Sequence, residues 1–186
     1  MVAMPAIEHP MGEDNLLQAF LELDTPMGSK AEFIEGEIIV TPPPDGAHET
    51  AFSLLARQFF RKAAIDLDLS GNKGLIVSPK NRFIPDGTVS PVGHFENADS
   101  WAPAGGVLLV FEITSTNPHK DRESKRRGYA TAEIPCYLLI DRGQGMVTLF
   151  THPQDGDYVT RTQVGFGKSI DLPAPFSFAL DTAPLR

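Results

Sequence analysis

Five consecutive apolar residues, Val107-Leu108-Leu109-Val110-Phe111, run directly into an acid, Glu112. A strand with one wet face alternates apolar and polar residues. An unbroken run instead signals a strand buried on both faces, flanked by other strands and covered by further layers. Cys136 to Ile140 repeats the pattern and is closed by Asp141-Arg142-Gly143. Two such strands demand a sheet with helices packed on it. An acid at the end of the first lies where the sheet meets water, the place where open α/β sheets put their sites.

The remaining pattern supplies the covering layers. Leu16, Leu17, Phe20 and Leu21 recur at helical spacing within 13–23. Residues 31–41 read as a hairpin or a kinked strand around Glu35-Gly36-Glu37. Pro42 to Gly46 breaks the chain, and a helix is predicted over 47–66, with Phe52, Leu55, Phe59 and Ala63 on one face. Short strands follow at 74–78 and 82–84 and lead into Pro85-Asp86. A Gly- and Pro-rich loop over 90–106 carries Trp101. Asn117-Pro118 opens a helix that runs to about 132, where Asn caps and Pro takes the first turn. A last hairpin pairs 146–151 with 158–162 around a turn at 154–157. Strands flanked by two main helices make the class α/β or α+β.

Size and charge bound the answer. The 186 residues, 41% of them hydrophobic, suit a loose tail over 1–12 and one domain over 13–186. No apolar stretch approaches the roughly 18 residues of a membrane span. Residues 1–10 lack a basic start followed by an apolar run, so no secretory signal is expected. A single cysteine, Cys136, excludes an intrachain disulfide and suits a reducing compartment, the cytoplasm. The net charge of -8 opposes broad, non-specific nucleic-acid binding but leaves room for a local basic face.

If the strand before Asp86 neighbours the one ending in Glu112, two carboxylates converge. They repel unless a proton or cation lies between them. Hard oxygen donors and high charge suit Mg2+ or Mn2+. Asp121, Lys125 and Tyr129 are spaced i, i+4 and i+8 and share a helix face. Two readings stay open there: a surface Asp–Lys pair, or a lysine that points back to the carboxylates to orient a water or offset transition-state charge.

An ordered set of short motifs carries a resemblance. It comprises 33–40 (Phe-Ile-Glu-Gly-Glu-Ile-Ile-Val), Pro42-Pro43, His48, Pro85-Asp86, Phe111-Glu112-Ile113-Thr114-Ser115, then Asp121, Lys125 and Tyr129, and finally 134–141. Together they resemble the Uma-type restriction-endonuclease family of the PD-(D/E)XK nuclease superfamily. The resemblance implies a restriction-endonuclease-like mixed central sheet flanked by helices, with added hairpins. It also implies a magnesium site and phosphodiester hydrolysis in nucleic acid, with DNA as the expected polymer. Asp86 and Glu112 match the family's acids, and the Ile113 carbonyl is a further metal ligand by the same match. The superfamily's lysine two residues past the acid is here Thr114, and Lys125 matches the lysine that this family carries on the following helix. Gly87 departs from the family, which favours an apolar residue after Pro-Asp.

Accessory candidates follow. Glu32 or Glu35 could add the superfamily's N-terminal acid, or could belong to a solvated strand face. His48 could approach the site or a phosphate. Asp121 and Tyr129 share the face of Lys125. Lys120, Arg122 and Arg126 form a basic patch suited to a phosphate backbone, unless it is simply a solvated helix face. Trp101 could stack on a base or tuck onto its own domain. Cutting both strands of a duplex needs two sites, so a homodimer is expected. Two other readings are a non-catalytic module that keeps the fold and binds nucleic acid or protein, and a hydrolase of small phosphoesters.

Overall fold

The structure is a computed structural model and describes residues 13–114 and 121–185. In chain order the first elements are α1 (Glu13–Leu21), β1 (Lys30–Ile34), β2 (Glu37–Thr41), α2 (Gly46–Lys62), β3 (Asp68–Ser70), β4 (Gly74–Ser78) and β5 (Asn81–Phe83). Then come β6 (Gly87–Ser90), β7 (Trp101–Pro103), β8 (Leu109–Ile113), a π turn (Asp121–Lys125) and α3 (Arg126–Thr131). The chain closes through β9 (Cys136–Asp141), β10 (Met146–Gln154), β11 (Asp157–Gly165), β12 (Ser169–Leu172) and β13 (Phe178–Asp181). The main sheet has the order β11-β10-β9-β8-β6-β3, a second has β2-β1-β5-β4-β7, and β12 pairs β13. This is a mixed α+β fold: β8 runs parallel to β9 and antiparallel to β6. Among the described residues no helix is long and apolar enough to cross a membrane.

The apolar run becomes β8, buried along its whole length. Its two faces feed different cores. Leu109, Phe111 and Ile113 join Leu55 and Phe59 of α2, while Val110 joins Tyr129 of α3 and Leu75 and Phe83 of the second sheet. β9 divides likewise, with Cys136, Leu138 and Ile140 on the first side and Tyr137 and Leu139 on the second. Alternation therefore puts Glu112 on the α3 face, within the strand rather than after it.

Local chemistry explains the flanks. Asp45 caps α2 by accepting the His48 N–H at 2.7 Å, and the helix then buries His48, Ala51, Leu55 and Phe59. The hairpin alternative at Glu35-Gly36 is the one observed: both residues have positive φ, as a two-residue turn of matching twist requires. Asp155-Gly156 turns β10 into β11 in the same way, so both strands are longer than the predicted 146–151 and 158–162.

Three expectations change. The second helix stops at Lys62, not at 66; Asp68 to Ser70 instead pair with β6 as an edge strand. The predicted loop over 90–106 contains β7, which lies parallel to β4. There the Trp101 ring covers Gly74 so closely that a Cβ on that glycine would meet it at 2.6 Å. The third helix has a different pitch in its described part, a π turn before a six-residue α-helix, and its expected start at Asn117-Pro118 lies outside the described residues.

Gly87, the departure beside Asp86, has a packing cause. A Cβ there would meet the Phe111 ring at 2.0 Å, and Phe111 is the partner of Gly87 across β6 and β8. Gly87→Val should lower stability by about 1–3 kcal/mol through overpacking. Urea unfolding checks this, and adding Phe111→Leu should restore part of the loss.

Burial raises the Cys136 thiol pKa to about 11 from 9.0. A folded-state value above the unfolded one makes its contribution complete below pH 9.0 and lost as pH rises to about 11. Unfolding free energy of the wild type should therefore fall on the order of 2–3 kcal/mol more than that of Cys136→Ala across this window. Equal pH slopes for the two proteins would show that the thiol is not held neutral.

Candidate metal and catalytic centre

The β6–β8 ladder has its last rung at Gly87↔Phe111. One residue further, Asp86 comes level with Glu112. Pro85 has no N–H and cannot donate to a continuing ladder. The Asp86 side chain caps the end instead, accepting the Ile113 N–H on Oδ2 at 2.9 Å. Here the Pro-Asp pair is a way of ending a strand beside an acid.

Asp86 gathers two side-chain donors as well. Nε2 of His48, from the first turns of α2, lies 2.9 Å from Oδ2, and Nζ of Lys30, on β1, lies 3.3 Å from Oδ1. Burial alone would raise the carboxyl's pKa. The His48 hydrogen bond and the charges of Lys30, His48 and Lys125 outweigh it and hold the group well below the usual carboxylate range. Burial opposes the charge on His48, yet its bond to Asp86 leaves the imidazole pKa raised.

Glu112, level with Asp86 at the same strand end, is 2% exposed. The hydroxyl of Tyr129 donates to its Oε1, and Nζ of Lys125 lies 3.1 Å from that oxygen. Lys125 is also 3.1 Å from Oε1 of Glu32, which in turn accepts the Ile84 N–H at 2.8 Å. Thus one buried ammonium is shared by two buried carboxylates from different sheets. Burial, then the charges of Glu112 and Glu32, keep the Tyr129 phenol far above its ordinary pKa, so it acts as a donor.

The structure thus brings together Asp86, Glu112, Ile113, Lys125, Glu32, His48 and Tyr129. Lys125 is buried and points inward to Glu32 and Glu112 rather than lying on the surface. Glu35 does not join them; it is exposed on the β1–β2 turn, where its N–H bonds Asn81. The Asp121 side chain and Lys120 lie outside what is described. Arg122 and Arg126 do not form an open basic patch: Arg122 is 2.6 Å from Asp141, and Arg126 is 2.9 Å from Asp157 with its guanidinium over Phe150. Thr114 is buried and its Oγ1 accepts the Arg142 N–H.

Sequence reasoning missed Lys30 and the Asp45–Arg142 pair. Period two along β1 puts Lys30 on the face of Glu32, and that alternation was the available signal. Arg142 grips Asp45 with both guanidinium nitrogens at 3.1–3.2 Å, tying the α2 cap, and with it His48, to the end of β9. Nothing local in the sequence links positions 97 residues apart.

Among the described residues no three Asp, Glu, His or Cys side chains are already gathered as a metal cage. Cations of the protein stand between the acids. The donor chemistry still fits magnesium, which takes one or two carboxylates and fills its remaining positions with water and phosphate oxygens rather than with an all-protein cage.

Comparison with known proteins gives the family and the fold. The Uma2 family model, described as "Putative restriction endonuclease", matches residues 17–183. Among solved structures, a "putative nuclease belonging to DUF820" from Anabaena variabilis ATCC 29413 superposes with a TM-score of 0.69 at 18% identity. The match covers 95% of this chain and 97% of that one, and at such identity it is a likeness of fold. No curated protein matches the chain.

Removing Lys125 leaves Glu32 and Glu112 facing each other without their shared cation. Lys125→Met should lower stability by about 3–5 kcal/mol. The double variant Lys125→Met/Glu32→Gln should recover part of that in urea unfolding; no recovery would mean that the two carboxylates are not coupled through the lysine.

Proposed function

The chain belongs to the Uma2 family, described as putative restriction endonucleases, and from that premise we propose that it is a magnesium- or manganese-dependent endonuclease hydrolysing phosphodiester bonds of DNA. One observation carries the reading. Asp86 and Glu112 meet at the end of one β6–β8 ladder, with the Lys125 ammonium 3.1 Å from Glu112. Nothing in packing requires two acids and a buried lysine at that point, and apolar residues would serve a core as well or better.

In this reading Asp86, Glu112 and the Ile113 carbonyl hold the cation. When bound, it polarises a phosphoryl oxygen and eases deprotonation of a water. Tyr129 fixes the orientation of Glu112, and His48 fixes that of Asp86. Lys125 stands beside Glu112 to orient the attacking water and to offset charge building on the phosphoryl oxygens. Glu32 holds that ammonium in place from the other side. The water oxygen bonds to phosphorus as the bond to the leaving sugar oxygen breaks, giving a phosphate monoester and a free hydroxyl. Asp121 remains an accessory candidate. Phosphate contacts from Lys120, Arg122 and Arg126 remain part of the proposal, the last two on release from Asp141 and Asp157. A cytoplasmic homodimer would place two such sites on one nucleic acid.

The alternative of a non-catalytic module predicts no metal dependence. Calorimetric titration of the wild type with Mg2+ and Mn2+ should show binding that Asp86→Asn and Glu112→Gln lose. Metal-dependent DNA cleavage should fall about a hundredfold or more in either variant. A wild type that binds neither ion would remove the enzymatic reading.

A further inference from the structure

Lys30 has a second neighbourhood besides Asp86. It lines a cavity of about 300 Å³ whose walls include Phe20, Leu21, Leu23, Ile84 and Trp101. That volume is at the small end for ligand sites, suited to one planar ring and a small polar attachment. Trp101 is half-buried and meets Phe20 edge-on, with ring centroids 5.4 Å apart. Leu21 and Leu23 are 48% and 40% exposed, an unusual pair of bare leucines beside an aromatic ring. Lys30 links the cavity to the candidate centre, since it lines the one and its Nζ lies 3.3 Å from Asp86 of the other.

Charge points the same way. The protein carries -8 overall, and Arg122 and Arg126 are each met by a carboxylate of the chain. Beside the centre Lys30, Arg122 and Arg126 are each paired with a carboxylate, so a phosphate arriving there must share or displace that partner. A substrate gripped by a base would need an aromatic wall and little more.

Resting on the nuclease reading, we infer that this cavity is a nucleobase subsite. One unstacked base lies against Trp101 and the leucines, and its phosphate passes Lys30 toward Asp86. The substrate class is therefore nucleic acid with an unpaired or extruded nucleotide, such as single strands, frayed ends or flaps, rather than uninterrupted duplex.

Trp101 is the only tryptophan, so its emission reports on the cavity directly. The full chain in EDTA, where no cleavage occurs, is titrated with a thymidine pentanucleotide, with thymidine 5′-monophosphate, with inorganic phosphate and with a closed duplex dumbbell. The two nucleotides should change Trp101 emission saturably, and phosphate should not. The dumbbell should bind at least about tenfold more weakly than the pentanucleotide. Its binding should depend only shallowly on salt, with a log–log slope of roughly -1, as one or two phosphate contacts require. Leu23→Glu, an exposed substitution that spares the core, should weaken the pentanucleotide about tenfold, and Lys30→Gln should weaken it severalfold. A silent tryptophan, a response reproduced by phosphate alone, equal binding of the dumbbell, or an unaffected Leu23→Glu overturns the subsite. Metal-dependent cleavage with a silent tryptophan would sink the subsite and spare the nuclease; a specific response without cleavage at any metal would do the reverse.

Discussion

The buried ammonium of Lys125 is the contact on which the rest of the site depends. Glu32 and Glu112 are both within the interior, each from a different sheet, and each 3.1 Å from that one nitrogen. Two buried carboxylates cannot share a dry space without a counter-charge. The lysine therefore sets how closely the second sheet can approach the main one at β1 and β8. Tyr129, four residues along the chain from Lys125, completes the arrangement from the same side. Asp86 is held chiefly by His48 and Lys30, with the Lys125 charge adding to them, so the acids are served by partners from β1, α2 and the π turn before α3. Elements on both faces of the sheet are thus tied to the single point where the β6–β8 ladder ends. Buried ion pairs seldom stabilise more than an apolar replacement would. Their concentration at one ladder end is therefore not explained by stability alone, which is what the proposed metal site builds on.

The ladder end itself is made by packing. Phe111 needs space on the α2 face, and Gly87 yields it by having no side chain. That lets β6 lie close against β8 up to the rung before Asp86. Pro85 then withholds an N–H, and Asp86 turns its carboxylate onto the Ile113 N–H that the ladder leaves over. A departure from the family's usual apolar residue after Pro-Asp is therefore paired with an aromatic across the strand.

How much of this was legible in the sequence follows from which forces are local. The buried strand β8, its acid, the α2 helix and the two hairpin turns were readable, because periodicity and turn chemistry act within a few residues. Asp86 and Glu112 were readable as neighbours only on the supposition that the strand before Asp86 lies beside the one ending in Glu112; that strand is β5, which belongs to the second sheet, and the partner of β8 is β6, the strand that follows Asp86. Lys125 was identified by its match to a family lysine, but its inward direction came from tertiary packing. The π turn, β3 and β7 were not legible. Each is short, and β3 and β7 exist because a neighbouring strand, β6 or β4, offers a free edge. Lys30 was not legible as a site residue: it shares a strand face with Glu32, but its contact with Asp86 lies 56 residues away and is made only by the tertiary fold.

Net charge and local charge pull in different directions here, and distance decides between them. Far from the surface an anionic polymer meets the field of a chain at -8, which is repulsive and which salt screens beyond about 8–10 Å. Close to the centre, the relevant groups are few and specific: Lys30, Lys125 and any metal held by the acids. Arg122 and Arg126 would add to this field only by giving up Asp141 and Asp157, leaving those carboxylates to repel the same polymer. An acidic enzyme of this design gains little from long-range steering and must rely on contacts made after encounter. Such contacts favour substrates that can bring a phosphate past a narrow, half-buried acid, and a chain free to bend at that point does so at less cost than a stiff duplex.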